Sequence, residues 1–343
     1  MKDNLWKNLS KPIIGMAPMD GVTDAPFRHI IAKYGKPDVV FTEFTSVEGI
    51  CHDALKPLQA FLFEKNEKPI IAQLFGSTPG DFYKVFFVVA ELGFDGIDIN
   101  MGCPAKSVVN KGGGANLIKT PALADQIIRA VKKARDDWKE GTDYREIGLP
   151  EKIKHYLGLH RKKLQKRHYL PVSIKTRTGY AKADIDGWIG NIVNEKPDAI
   201  CVHGRTFKQL YEGVADWDLI AQAAAIAHQS HCVILGNGDI KSREEAINKA
   251  NQYGVDGVLI GRAALGNPWA FTNTDCPPEK RLQTAVEHSK YFEKTFGKKH
   301  FVPMRKHLGW YCKGFPGASE MRQKLMTTQS AADVYSIIKK SNT

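Results

Sequence analysis

Residues 96–115 read Gly-Ile-Asp-Ile-Asn-Met-Gly-Cys-Pro-Ala-Lys-Ser-Val-Val-Asn-Lys-Gly-Gly-Gly-Ala, a strand pattern that runs directly into reactive residues. Ile97 and Ile99 alternate with Asp98 and Asn100, and the two-residue period of a strand puts the polar pair on one face and the isoleucines on the other. Gly102 frees the backbone and Pro104 lacks a ladder donor, so the strand ends there and Cys103 occupies the loop beyond its carboxyl end. Gly112, Gly113 and Gly114 then permit a close backbone approach. Two plainer readings stand beside this one: a lone cysteine is commonly a small buried hydrophobe, and a glycine triplet is commonly a flexible turn. What weakens them is that polar strand ends recur along the chain.

Working outward, residues 11–19, 39–44, 69–76, 172–179, 199–206, 233–239 and 257–263 are further short apolar strands, which with 96–102 makes eight. Helical spacing falls between them, at 24–34 with Thr23 or Asp24 as cap, and at 80–92, 121–137, 184–194, 217–227 and 242–252. This alternation predicts an α/β fold, a (β/α)8 TIM barrel, rather than an open doubly wound sheet, whose glycine fingerprint after the first strand is missing. A small C-terminal helical domain is expected to follow, with helices at 279–296, 303–313, 319–326 and 331–340. The chain therefore divides into 1–274 and 275–343. Residues 136–170 are too long for a barrel loop and read as a basic insertion, carrying Lys152, Lys154, Arg161, Lys162, Lys163, Lys166 and Arg167.

Strand parity locates the chemistry. Gln73 stands near one carboxyl end; Lys175 and Arg177, His203 and Arg205, and Asn237 and Asp239 are each two residues apart and point the same way. Charged side chains are costly to bury unpaired, so their clustering marks a polar mouth. Gly236-Asn-Gly-Asp after the seventh strand and Gly261-Arg after the eighth form an anion cradle of backbone amides, with Arg262 adding a guanidinium. A phosphate there is remote from a small substrate, which implies a phosphorylated cofactor whose ring extends toward Gln73, Lys175 and Cys103.

Composition sets the outer bounds. With 49 Lys and Arg against 37 Asp and Glu the formal charge is +12, which favours a polyanionic partner, nucleic acid first. No apolar run reaches membrane length, and no signal core opens the chain, so a cytoplasmic protein is expected. Six scattered cysteines without a Cys-x-x-Cys pair suggest neither a metal site nor a disulfide framework.

Ala17-Pro-Met-Asp-Gly-Val-Thr-Asp, Gln73-Leu-Phe-Gly, Asp98-Ile-Asn-Met-Gly-Cys-Pro with Gly112-Gly-Gly-Ala, Lys175-Thr-Arg-Thr-Gly, His203-Gly-Arg-Thr, Gly236-Asn-Gly-Asp and Gly261-Arg together resemble the tRNA-dihydrouridine synthases. The tail from Arg305 to Gly317 resembles that family's helical tRNA-binding domain. The resemblance implies an FMN-dependent barrel that uses NADPH to reduce uridines of tRNA; a monomer is expected. By it, Pro18, Met19 and Asp20 meet the flavin ring together with Gln73, Lys175 and His203. Asn237, Gly238, Asp239, Gly261 and Arg262 hold its phosphate end, Cys103 is the proton donor, and Asn100 and Arg177 position uracil. An ordinary thiol, with a pKa near 8.5, is protonated at pH 7 and suits that acid role; thiolate chemistry would need His203 as a base. The insertion and Arg305, Lys306 and Lys313 are expected to contact phosphates, with Trp310, Tyr311 and Phe315 either stacking on RNA or forming a core. A cofactor barrel acting on a free pyrimidine and a non-catalytic RNA-binding barrel stand as alternatives.

Overall fold

Short apolar strands close into a ring in the computed structural model, which describes residues 4–162 and 167–341. In chain order the strands are β1 (Ile13–Met16), β2 (Val40–Phe41), β3 (Thr45–Ser46), β4 (Ile70–Phe75), β5 (Gly96–Met101), β6 (Val172–Arg177), β7 (Ala199–His203), β8 (Val233–Asn237) and β9 (Gly257–Ile260). Around the ring they run β1-β9-β8-β7-β6-β5-β4-β2, with β3 also on β4, and every pairing is parallel. A bridge between Gly15 and Val39 closes it. β2 and β3 are two pieces of one stave, so the barrel has the eight staves that the alternation predicts. The single strand expected at 39–44 is interrupted because the Thr42 hydroxyl accepts the Gln73 amide at 3.0 Å, in the place of a strand carbonyl.

Alternate side chains separate two cores. Ile14, Ile97, Ile99, Ile174 and Ile200 pack outward against the helices, while Ile13, Ile71, Ala199, Val233, Leu235 and Leu259 fill the ring. Trp6, on a short helix (Leu5–Asn8) capped by Asn4, seals the amino-terminal end and stacks on Phe41 with centroids 6.1 Å apart.

The helices begin where the sequence provides caps. Asp24, rather than Thr23, caps Ala25–Tyr34 by accepting from Phe27 N–H at 2.9 Å, and Ser242 and Asp216 cap Arg243–Tyr253 and Trp217–Gln229 in the same way. The helix expected at 184–194 starts with a π-helical turn, Ile185–Ile189. Among the described residues no helix is long and apolar enough to cross a membrane.

The insertion is partly helical. Helix Pro121–Glu140 runs into it and helix Glu151–His160 lies within it. Several of its charges are paired: Lys152 with Asp53 at 3.0 Å and Lys154 with Glu151 at 2.8 Å, while Arg161 and Arg167 each reach Glu91 at 3.7 Å. Arg167 also donates to the carbonyls of Trp138 and Thr142. Glu91 is near the carboxyl end of helix Pro79–Leu92, which leads away from the mouth. These ion pairs tie the insertion to the outer wall, while Lys152, Arg161 and Lys162 keep exposed side chains; Lys163 and Lys166 lie outside the described residues.

Helices Pro278–Phe296, Met304–Tyr311, Ala318–Leu325 and Ala331–Ser341 form a bundle with its own core, including Leu282, Phe292, Leu308, Tyr311, Leu325 and Val334. Phe315 packs on that core, and Trp310 meets His307 edge-on at 5.0 Å. Tyr311 and Phe315 are thus committed to the bundle core while Trp310 is half-buried beside it, and Arg305 is tied to the Thr328 carbonyl. The bundle docks beside the mouth: Lys33 and Tyr34 bond Glu287 at 2.6 Å, Lys306 Nζ donates to the Gly21 carbonyl after β1, and Lys313 Nζ to the Leu265 carbonyl after β9 at 3.0 Å.

Because Trp6 is fully buried and its indole N–H has no partner among the described residues, its contribution is apolar. Trp6→Ala is expected to lower unfolding free energy by about 3–5 kcal/mol in denaturant titrations; Trp6→Phe, which keeps the ring and loses no hydrogen bond, should lose less than half of that.

Candidate active site

The carboxyl ends of the strands and their loops enclose a cleft of about 1100 Å³. Its lining includes all fourteen residues singled out above. Pro18, Met19 and Asp20 follow β1, Gln73 is on β4, and Asn100 is on β5 with Cys103 just beyond. Lys175 and Arg177 are on β6 and His203 on β7; Asn237 ends β8, followed by Gly238 and Asp239, and Gly261 and Arg262 follow β9.

Strand register brings the polar side chains together. Gln73 pairs with Asp98, Asp98 with Ser173, and Asn100 with Lys175; Arg177 pairs with His203, and His203 with Asn237. Gln73 Nε2 donates to Asp98 Oδ2 at 2.7 Å, Asn100 Nδ2 to Gln73 Oε1 at 3.0 Å, and the Ser173 hydroxyl to Asp98 Oδ1 at 2.7 Å. Asn100 Oδ1 accepts the amides of Gly102 and Cys103 at 3.1 and 2.8 Å. Lys175 Nζ reaches Asn237 Oδ1 at 3.1 Å. Burial pushes the Asp98 carboxyl up to about 6 against its bonds from Gln73 and Ser173 and the charge of Lys175.

The glycine triplet approaches not a ligand but the cysteine loop. Gly114 has φ +57°, and a Cβ there would lie 2.8 Å from the Cys103 carbonyl; one on Gly113 would lie 2.8 Å from the Gly76 carbonyl after β4. The Ala115 amide donates to the Cys103 carbonyl at 3.0 Å. Burial raises the Cys103 thiol above its ordinary range, with the charge of Asp20 adding and the Ala105 amide, Arg177 and Lys175 opposing. Burial raises Asp20 as well.

Three expected contacts are already engaged within the protein. Arg177 donates through Nε to the Gly102 carbonyl at 2.8 Å and through Nη1 to those of Thr206 and Leu210 at 2.9 and 3.0 Å; its first task is to fasten the loops after β5 and β7. Asp239 turns its carboxylate away from the cradle, to Arg205 at 2.6 Å, to Arg262 at 2.7 Å and to the Ala215 amide at 2.8 Å. Arg262 thereby spends part of its guanidinium on Asp239.

Sequence parity placed Arg205 beside His203 but gave it no role. Arg205 is buried, forks onto Asp239, and donates to the carbonyls of Glu212 and Gly213. Tyr211, which no periodic signal marks, projects from that loop into the cleft between Arg177 and Arg262, with guanidinium carbons 5.9 and 5.6 Å from its ring. The amides of Gly238, Asp239, Arg262 and Ala263 find no acceptor among the described residues, a cluster of free donors at one end of the cleft. No group of three or more His, Cys, Asp or Glu that could hold a metal ion occurs among the described residues.

A family model described as dihydrouridine synthase matches residues 15–140 and 149–341. The chain is 34% identical to a protein named probable tRNA-dihydrouridine synthase from Staphylococcus epidermidis, over 98% of this chain and 96% of that one. It is 33% identical to probable tRNA-dihydrouridine synthase 2 of Bacillus subtilis, again over 98% and 96%.

Burial, with repulsion from Lys175, Arg177, Arg205 and Arg262, pushes His203 down to about 2. Its imidazole is neutral throughout the physiological range and accepts from Arg205 Nη1 at 3.3 Å, so it is poorly suited to take the proton that the Cys103 thiol would lose on becoming a thiolate. NMR titration is expected to show no His203 step between pH 5 and 8. Since the unfolded imidazole takes up a proton below about 6.5 and the folded one does not, this site lowers stability progressively as pH falls below that value; a His203 step near 6.5 would contradict the geometry.

Proposed function

The chain belongs to the dihydrouridine synthase family, and from that membership we propose that it reduces the C5=C6 bond of uridine in tRNA, with FMN as bound cofactor and NADPH as reductant. The observation that carries this reading is the convergence of the fourteen residues on one cleft that has a protonated thiol at one side and unpaired amide donors at the other end.

The cleft's chemistry fits a flavin mononucleotide. The free amides of Gly238, Asp239, Arg262 and Ala263, with Arg262 half-exposed beside them, suit a phosphate. Gln73, Lys175 and His203 offer donors to the ring's polar edge, and Pro18 and Met19 an apolar face. When bound, the reduced flavin supplies hydride to C6 of the pyrimidine.

The chain's own residues do the rest. Cys103, its thiol kept undissociated by burial and by Asp20, gives its proton to C5. Asn100, with Oδ1 occupied by backbone amides, has only N–H left to offer, and this favours a substrate oxygen on which charge develops. One such donor is typically worth about 3 kcal/mol of barrier. Lys175, whose ammonium lies in the cleft, would offset negative charge on a bound, reduced cofactor.

We assign tRNA binding to residues 275–343, which carry thirteen Lys and Arg against six Asp and Glu. Docked against the loops after β1 and β9, this basic bundle stands next to the mouth that an extruded uridine must enter.

Cys103→Ala is expected to lose about 100- to 10,000-fold in dihydrouridine formed per flavin, measured on tRNA transcripts with NADPH, while the purified variant keeps its flavin absorbance. Unchanged turnover would remove Cys103 as donor, and a parent protein without flavin would overturn the reading as a whole. In binding titrations log affinity for tRNA should fall linearly with log salt; a flat response would exclude phosphate contacts as its main source.

A further inference from the structure

Asp98 is fully buried inside the barrel, one strand from Gln73 and one from Ser173, and the chemistry proposed above gives it no task. The hydrogen bonds around it run in one direction that is fixed from both ends. The amides of Gly102 and Cys103 only donate, so Asn100 must turn Oδ1 toward them and Nδ2 toward Gln73 Oε1. That leaves Gln73 Nε2 pointing at Asp98, whose carboxylate accepts it at 2.7 Å and takes the Ser173 hydroxyl on its other oxygen. Flipping either amide would set donor against donor and acceptor against acceptor at neighbouring contacts.

We propose that Asp98 is a positioning residue: through Gln73 and Asn100 it holds the loop that carries Cys103 and fixes which amide edge each of these two side chains turns to the cleft. The inference rests on the reading of Cys103 as proton donor and of Gln73 and Asn100 as cofactor and substrate contacts. Without an acceptor at position 98, Gln73 is free to flip and present its carbonyl where a donor belongs, and the loop loses its tether at Asn100. An asparagine can replace the aspartate, because its Oδ1 still accepts from Gln73 while its Nδ2 donates to Ser173, whose hydroxyl then turns to the Ile97 carbonyl 3.4 Å away. A leucine of similar size cannot.

The test compares flavin-loaded parent, Asp98→Asn and Asp98→Leu for steady-state dihydrouridine formation on tRNA and for alkylation of Cys103 by iodoacetamide, followed by peptide mass spectrometry. Expected are a kcat within about 3-fold of parent for Asp98→Asn, and a loss of about 100-fold for Asp98→Leu, the cost of displacing a reacting group by about 1 Å. KM for tRNA should stay within about 3-fold in both, because phosphate contacts lie elsewhere. Cys103 should be alkylated about 10-fold faster in Asp98→Leu only, as its loop loosens. Should Asp98→Leu fail to fold, Asp98→Ser, whose hydroxyl is too short to reach Gln73, takes its place with the same expectation. Parental kcat in the leucine or serine variant would overturn the proposal, as would equal losses in Asp98→Asn and Asp98→Leu. A parent that makes no dihydrouridine, yet whose Cys103 reactivity follows the series, would overturn the assigned reaction and support the positioning role.

Discussion

A closed parallel barrel turns every second side chain of every strand toward a common axis, and any polar group placed there must find its partner inside the ring. In this chain that constraint divides the interior into layers. The lower layer is apolar, with Ile13, Val233 and Leu235 above the Trp6 seal. The layer above it is polar and bonded sideways from strand to strand, from Ser173 to Asp98, Gln73 and Asn100, with Lys175 reaching Asn237. From Ser173 to Asn100 each member is held by a neighbour on an adjoining strand, and Lys175 reaches past β7 to Asn237 on β8, so the donors at the mouth are oriented before any ligand arrives. Preorganisation of this kind is what allows fixed dipoles to act on developing charge without first paying for reorientation.

Much of that layer was legible in the sequence because strand parity is a strict period. Asp98 with Asn100 and Lys175 with Arg177 share faces as the alternation requires, and the eight staves follow from apolar runs bounded by glycine and proline. Parity fails where strands end. Arg205 and Asp239 lie beyond the last residues of β7 and β8, and Asp239 takes a positive φ of 57°, so its carboxylate turns to Arg205, Arg262 and the Ala215 amide instead of to the cradle. Tyr211 sits in a loop that has no period at all.

The partners of the charge run were hidden for a related reason. The sequence shows that residues 152–167 are basic, but not that Glu91, at the end of a helix some seventy positions earlier, receives Arg161 and Arg167. The aromatics near residue 311 likewise face inward because the Tyr311 ring completes a small core with Leu308 and Val334. In both cases the deciding partner is distant in sequence, and composition carries no information on distance in space.

The cleft also resolves an electrostatic conflict. Burial, with the charges of Lys175, Arg177, Arg205 and Arg262, keeps the His203 ring neutral, and two of those charges, Arg177 and Lys175, act to ionise the Cys103 thiol. Cys103 nevertheless has its pKa raised, since burial and the charge of Asp20 outweigh Arg177 and Lys175. The two ends of the cleft therefore hold opposite chemical characters: a cationic end with unpaired amides, and a rim where a weak acid keeps its proton. Burial is the main cause of that separation, and Asp20, on the loop after β1, adds to it from across the mouth. A site that bound an anionic cofactor with a stronger positive field, and left the thiol open to water, would pull it toward its nucleophilic form and lose the acid that the proposed reduction requires.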